Sequence, residues 1–244
     1  GAVTINKVCG SDLMAVTLAA DRIRAGEAEV VLAGGMESMS RAPFLLARDG
    51  HRRTGNRELV DSLLWDGLLD PGSGRSMGQC GEMCAARYHL SREALDDYAV
   101  ESYRRARAAQ AAGLFKREIV PVADPEKGVL LEEDEGPARL DEAKLRRLPP
   151  AFDPAGALTA GNSPSLNDGA AALVLASARR ARELGIPPLA RIAGAAGAAI
   201  EPVWFTLAPI EALRRLMART GWSLEDVDLF EINEAFAAVT MAAV

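Results

Sequence analysis

The chain has 244 residues, 49% hydrophobic and 25% charged, with a formal net charge of −6. That is enough for a sizeable core and for one large domain or two smaller ones, in an ordinary globular composition. The negative balance argues against a nucleic-acid partner, which calls for a basic patch to neutralise phosphates, though a few arginines can still grip a small anionic ligand.

The predicted elements alternate between helix and strand at both ends. Val3 to Ile5 is a short β-branched stretch leading into Cys9. Leu13, Val16, Ala20 and Ile23 follow at helical spacing, and Gly26 closes that helix. Glu29 to Ala33 is an apolar run bounded by Gly34-Gly35, as a buried strand should be. The three together read as a βαβ unit with a right-handed crossover. From about Arg41 to Ala160 loops dominate: Pro43-Phe44-Leu45, Asp49 to Glu58 and Asp70 to Gly78. One strong helix stands among them, with Ser91 as N-cap, Glu93 in its first turn, Leu95, Tyr98, Ala99, Ser102 and Ala106 on its inner face, and Gly113 at its end. Glu132 to Glu135 is a solvated loop. After Asn167 the α/β rhythm returns. Ala170 to Ala176 reads as a buried strand, Ala178 to Leu184 as a short helix ended by Gly185, and Leu189 to Ala193 as a strand. A helix carrying Ile210, Leu213 and Met217 follows, then a turn capped by Ser223, and a strand from Val227 to Ile232. Both ends read as cut, because Ala235 to Val244 is an apolar helical run with no stop signal, so a piece of a longer protein is expected.

No apolar run approaches membrane-spanning length, so no membrane association is expected, and there is no signal-peptide pattern. Three cysteines imply no disulfide framework, and a reducing, cytoplasmic compartment fits them best. Cys80 and Cys84 stand four apart, as buried small residues of one helix. His51 and His89 are the only histidines, and neither has zinc-ligand spacing, so no metal site is expected.

Cys9 sits where a strand gives way to a helix. Free N–H groups and the positive dipole end at a helix N-terminus stabilise a thiolate, and Gly10 and Ser11 leave room for a ligand. From position alone, a buried structural cysteine is the slightly favoured reading. Four segments change that weighting. Asn6-Lys7-Val8-Cys9-Gly10-Ser11 resembles the nucleophile segment of thiolases. Ala33-Gly34-Gly35-Met36-Glu37-Ser38-Met39-Ser40 resembles that family's next signature. Thr159-Ala160-Gly161-Asn162 with Leu166-Asn167-Asp168-Gly169-Ala170-Ala171 resembles a third, and Asn233-Glu234-Ala235-Phe236 a fourth.

The resemblance implies an α/β protein with the five-layered αβαβα thiolase fold, incomplete here, made of two similar half-domains with an inserted loop domain. In that scheme residues 1–38 carry the nucleophile in the first half-domain, 39–166 are the inserted loop domain for coenzyme A, and 167–244 begin the second half-domain. It also implies cleavage of a 3-ketoacyl-CoA, or the reverse condensation, through an acyl-Cys9 intermediate, as suits a polarisable thiolate attacking a carbonyl. Coenzyme A is then a co-substrate, no cofactor is permanently bound, and the parent protein is a homodimer or homotetramer. The Cys9 N–H would form part of one oxyanion hole, and Asn233 would hold the water of another; a helix N-cap is the plainer reading of Asn233, and both can hold at once. Leu68, Met77, Ala160 and Leu166 match positions of the family's coenzyme-binding loops, with core packing as the equal alternative for each. Ser76, Pro164-Ser165 and Asp12 depart from the family pattern, and a carboxylate at Asp12 would oppose a thiolate nearby. The family's catalytic His and second Cys are expected beyond Val244, so the 244 residues alone are expected to be inactive.

Two rivals remain. Gly74-Arg75-Ser76-Met77-Gly78 matches the G-x-S-x-G pattern of serine hydrolases, but a turn sequence precedes it where a strand is needed. Thiolase-like acyl-CoA or lipid carriers share the fold without the reaction. Those of the sterol-carrier type replace the Asn-Glu-Ala-Phe segment that this chain keeps.

Overall fold

The structure is a computed structural model that describes residues 1–46, 55–124 and 128–244. His51 lies outside the described residues. The chain divides into two compact units, one of Gly1–Leu69, Leu166–Ala198 and Glu211–Asp228, the other of Asp70–Ser165, Ala199–Ile210 and Leu229–Val244.

The first unit is built on a two-stranded antiparallel ladder. Helix α1 (Ser11–Arg24) leads into strand β1 (Val30–Ser38), which pairs along its whole length with β6 (Asp168–Ala176), Val30 opposite Ala176 and Ser38 opposite Asp168. Side chains alternate across the ladder. One face packs Ala33 and Leu175 against Ala19 and Ala20 of α1, with Val16, Ile23 and Val31 around them. The other face leaves Leu32 and Met36 exposed.

This ladder replaces the expected βαβ unit. Val3 to Ile5 forms no strand, since no described segment offers it a ladder and β-propensity alone does not hold an extended chain. Leu189 to Ala193 and Val227 to Ile232 fail as strands for the same reason. Nor do Gly34 and Gly35 bound β1, which runs through them to Ser38. Gly34 is needed for its lack of a side chain, because a Cβ there would lie 2.1 Å from the Ala171 carbonyl oxygen. At the end of the ladder Asp168 accepts from the Ser40 hydroxyl (2.5 Å) and the Ser40 N–H (2.9 Å). These bonds hold its carboxyl below the usual carboxylate range.

The Pro43-Phe44-Leu45 segment, read from the sequence as a loop, contributes to strand β2 (Phe44–Leu46), which pairs with β3 (Leu59–Asp61). A π-helical turn over Leu63–Leu68 follows. Helix α5 (Ala178–Glu183) is capped by the Ser177 hydroxyl, which accepts from the Arg180 N–H. From α6 (Ala208–Thr220), Arg215 and Arg219 donate to the carbonyls of Gly197 and Ala195, so backbone acceptors that have no strand partner are met by guanidinium groups.

The second unit is helical at its centre. Helix α2 (Met77–Arg87) carries Cys80 and Cys84, both fully buried as expected from their spacing. Helix α3 (Arg92–Ala111) begins at Ser91, whose hydroxyl accepts from the Ala94 N–H, and is closed by Gly113 at φ 69°. Helix α7 (Ala237–Ala243) completes a core of Cys84, Ala85, Leu95, Leu158, Phe236, Ala237, Ala238 and Val239. A fully buried leucine such as Leu95 contributes about 1.5–3 kcal/mol by leaving water. Strands β4 (Val122–Asp124) and β5 (Val129–Leu131) make a short hairpin, and the short helix α4 (Glu142–Leu145) packs Leu145 against Ala99 and Val100.

Gly34→Ala should lower stability by about 1–3 kcal/mol, because backbone must move to admit the methyl group. Gly169→Ala, on the facing strand with nothing within 4 Å of its Cβ position, should change it by less than about 0.5 kcal/mol. Urea unfolding of the two variants side by side checks this, and equal midpoints would contradict the close approach at Gly34.

Candidate functional site

The segment Asn6 to Ser11 is a tight corner whose polar groups bond one another. Val8 has φ 49°. For a β-branched residue this left-handed conformation is strained, at a cost of about 1–3 kcal/mol. Four groups hold it there. The Asn6 Oδ1 accepts from the Val8 N–H at 2.8 Å. The Ser11 hydroxyl donates to the Val8 carbonyl at 2.7 Å and accepts from the Lys7 N–H at 2.8 Å. The Gly10 N–H donates to the Lys7 carbonyl at 3.0 Å and the Ser11 N–H to the Val8 carbonyl at 3.1 Å. Cys9 follows Val8 at the corner and is exposed, two residues before α1. Sequence reasoning picked out Cys9 but read Ser11 only as a small neighbour. An Asn and a Ser bracketing the cysteine at −3 and +2 are the turn-forming side chains that signal such a corner.

Two neighbours complete this part of the first unit. Asp12, in the first turn of α1, lies against β1, where its Oδ1 takes the place that a Cβ on Gly35 would fill, 1.5 Å from that position. The Lys7 Nζ lies 3.4 Å from the Cβ position of Gly197.

In the second unit, Asn233 is exposed and lies in an irregular segment between anchored neighbours. Its carbonyl accepts from the Ala235 N–H at 2.8 Å. Glu234 accepts from the Tyr98 hydroxyl at 2.9 Å and the Ser102 hydroxyl at 2.8 Å. Phe236 is buried and meets Phe152 edge to face, with centroids 5.8 Å apart. The Ala237 N–H donates to the Asn162 carbonyl at 3.1 Å. Asn233 is not the helix N-cap that its position suggested: α7 starts at Ala237, with Phe236 at the cap and no side-chain cap bond. The core prevails over capping here, because burying Phe236 draws the residues before it out of helical register.

The Thr159 to Asn162 segment is held from inside. The Asn162 Nδ2 donates to Asp96 (2.9 Å) and to the Ala157 carbonyl (3.1 Å), while its Oδ1 accepts from the Thr159 N–H (2.8 Å). Asp96 in turn accepts from Arg92 at 2.7 Å. Glu82 takes the N–H groups of Ala157 and Leu158, each at 2.9 Å. Asp96 and Glu82 carried no signal in the sequence beyond ordinary helix charges.

The expected coenzyme positions divide between the units. Leu68 is half-buried in the π-helical turn and Leu166 is 61% exposed, both in the first unit. In the second, Met77 packs against the core and Ala160 is exposed. Core packing therefore describes Met77 and does not describe Leu166 or Ala160. Ser76 caps α2, its hydroxyl accepting from the Gln79 N–H while its own N–H donates to the Gln79 side chain. The turn before it is organised by Asp70, not by a strand, so the context needed for a hydrolase nucleophile is missing. Among the described residues no three His, Cys, Asp or Glu side chains gather to hold a metal ion, and no helix is long and apolar enough to cross a membrane.

Comparison with known proteins gives consistent matches. Residues 1–179 match the family model described as thiolase, N-terminal domain, and residues 186–244 match thiolase, C-terminal domain. The chain is 48% identical over 246 residues to acetyl-CoA acetyltransferase 2 of Arabidopsis thaliana, covering 98% of this chain and 61% of that protein. It is 49% identical over 249 residues to an acetyl-CoA acetyltransferase of Cupriavidus necator, covering 99% and 63%. Among solved structures, the Acat5 thiolase from Ascaris suum in complex with coenzyme A superposes with a TM-score of 0.92 at 43% identity, covering 99% of this chain and 62% of that one. The chain thus spans about three fifths of the length of the relatives it matches.

Burial pushes the thiols of both Cys80 and Cys84 up, away from the reactive thiolate, while Cys9 stands exposed. Limiting iodoacetamide on the folded chain, followed by peptide mapping, should modify Cys9 first, by a margin of about tenfold or more. Equal or preferential labelling of Cys80 or Cys84 would count against this ranking.

Proposed function

Because the chain belongs to the thiolase family, we propose that the protein carrying it is a coenzyme A-dependent acyltransferase with Cys9 as its nucleophile. The observation that carries this reading is an exposed cysteine at a strained, side-chain-clamped corner directly before a helix. The Cys9 sulfur attacks the 3-keto carbon of a 3-ketoacyl-CoA, the bond between carbons 2 and 3 breaks, and acetyl-CoA leaves after gaining a proton at carbon 2. The thiol of a second coenzyme A then takes the acyl group and returns the Cys9 thiol; condensation is the same path reversed. Two small barriers replace one large one. The Asn233 carboxamide serves the charge that develops on a thioester oxygen, by holding a water there.

The names of the relatives favour acetyl transfer. The coenzyme A in the Ascaris suum structure supports coenzyme A and acyl-CoA as the small-molecule partners here. Coenzyme A enters as a co-substrate and no resident cofactor is required. Exposed Leu166 and Ala160, with Leu68 and Met77, are the candidate coenzyme contacts, within an inserted region over residues 39–166 that lies between the nucleophile segment at 1–38 and a second half-domain from 167 onward. A two-fold or tetrameric assembly and a reducing, cytoplasmic setting complete the proposal.

The test is thiolysis of acetoacetyl-CoA by the complete gene product, since the chain covers about three fifths of its relatives. Cys9→Ala should lower kcat on the order of 10⁴-fold or more, with the unfolding midpoint unchanged because Cys9 is exposed. Wild-type turnover by Cys9→Ala would refute the nucleophile assignment. Tight coenzyme A binding without turnover in the wild type would favour a carrier instead.

A further inference from the structure

Asn233 lies on irregular backbone, yet a carboxamide that holds a water for a developing charge must keep its place to within about half an ångström. Its own side chain makes no hydrogen bond to hold it among the described residues, so its placing comes from the residues around it. After it, Phe236 is locked in the core and the Ala237 N–H is tied to Asn162. The residue directly next to it is Glu234, an exposed carboxylate that would be free to swing in water were it not held at both oxygens. Tyr98 and Ser102 stand one helical turn apart on α3, on the same face. The Tyr98 hydroxyl reaches Oε1 at 2.9 Å and the Ser102 hydroxyl reaches Oε2 at 2.8 Å. Both donors are half-buried, and α3 is anchored by Leu95 and Val100, each fully buried. Hydrogen bonds to an ionised acceptor are roughly twice as strong as neutral ones. Two of them from one rigid helix fix the carboxylate in position and direction.

We propose that Tyr98 and Ser102 are positioning residues: by clamping both oxygens of Glu234 to helix α3, they set the backbone on which the Asn233 carboxamide is presented. This rests on the reading of Asn233 given above. In this role the two hydroxyls act through Glu234 and Asn233, and the Tyr98 hydroxyl also faces the Thr240 hydroxyl. Burial, above all, raises the Tyr98 hydroxyl, so it stays a donor across the neutral range.

The test is a double-mutant cycle on the complete gene product, with acetoacetyl-CoA and coenzyme A as substrates. Tyr98→Phe removes one oxygen and keeps the ring; Ser102→Ala removes the other donor. Each should lower kcat about 3- to 10-fold and both together about 10- to 50-fold, with KM for coenzyme A changed less than about twofold, because the loss is confined to the transition state. Asn233→Ala should cost about 10²–10³ in kcat, which leaves a measurable rate. On that background, removing both hydroxyls should have no further effect, since groups that act through one another are not additive. Amide exchange over residues 231–236 should quicken in the clamp variants while their thermal midpoints stay at the wild-type value. A wild-type kcat in the double clamp variant, unchanged exchange at 231–236, or the same fold-loss with and without Asn233 would each overturn the inference. Full activity of Asn233→Ala would overturn the reading it rests on, and the inference with it.

Discussion

The conformation of Val8 is the constraint on which the account of the nucleophile depends. A valine at φ 49° does not persist unless its surroundings over-determine it. Here the Asn6 carboxamide, the Ser11 hydroxyl and two backbone N–H groups close on the same short corner from Asn6 to Ser11. The chain therefore changes direction abruptly, and the next residue, Cys9, is carried at the outside of the bend. A relaxed extended approach to α1 would place residue 9 in line with the backbone, where neighbours could cover it.

The second unit solves a different problem, that of holding irregular segments still. Buried polar groups cost several kcal/mol unless they are paired. Asn162, almost fully buried, uses its side chain on Asp96, Ala157 and Thr159 and its carbonyl on Ala237. One residue thus joins the Thr159 to Asn162 loop, α3 and the start of α7. Asp96 completes the network by pairing with Arg92, which also reaches the carbonyls of Leu145 and Arg146. Breaking such a network at one member leaves a buried charge or amide without a partner, and that costs about 3–5 kcal/mol. Helix α3 is therefore the frame on which both family segments of this unit hang, Asn162 through Asp96 and Glu234 through Tyr98 and Ser102.

Helices with strong end signals were legible in the sequence. Ser91 and Gly113 mark the limits of α3, and the spacing of Cys80 and Cys84 placed both inside one helix. Among the described residues, the strand-like runs that form strands are those with a ladder partner. Ala170 to Ala176 forms a strand, but of these residues only Leu175 is buried, so the buried strand that was expected is an exposed one; the Glu29 to Ala33 run extends further because two glycines admit close backbone and side-chain neighbours. Val3 to Ile5, Leu189 to Ala193 and Val227 to Ile232 have strand-like composition, but a strand is a relation between two segments and composition describes only one. For the site, the sequence pointed to Cys9 and Asn233 through motifs. It could not show that Asn6 and Ser11 clamp the corner, or that α3 holds Glu234, since Glu234 is 136 residues from Tyr98 and 132 from Ser102. It also suggested a cap at Asn233 that core packing of Phe236 displaced.

The central claim is that Cys9 carries the acyl group, and the covalent intermediate itself is the most direct measure of it. The complete gene product would be mixed with acetoacetyl-CoA in the absence of free coenzyme A, quenched in acid and mapped by peptide mass spectrometry. The account predicts one acetyl group, on the peptide that contains Cys9, lost again when coenzyme A is added before the quench. Acetylation of Ser76, Cys80 or Cys84 in its place, or an unmodified Cys9 peptide in a sample that is turning over substrate, would contradict it.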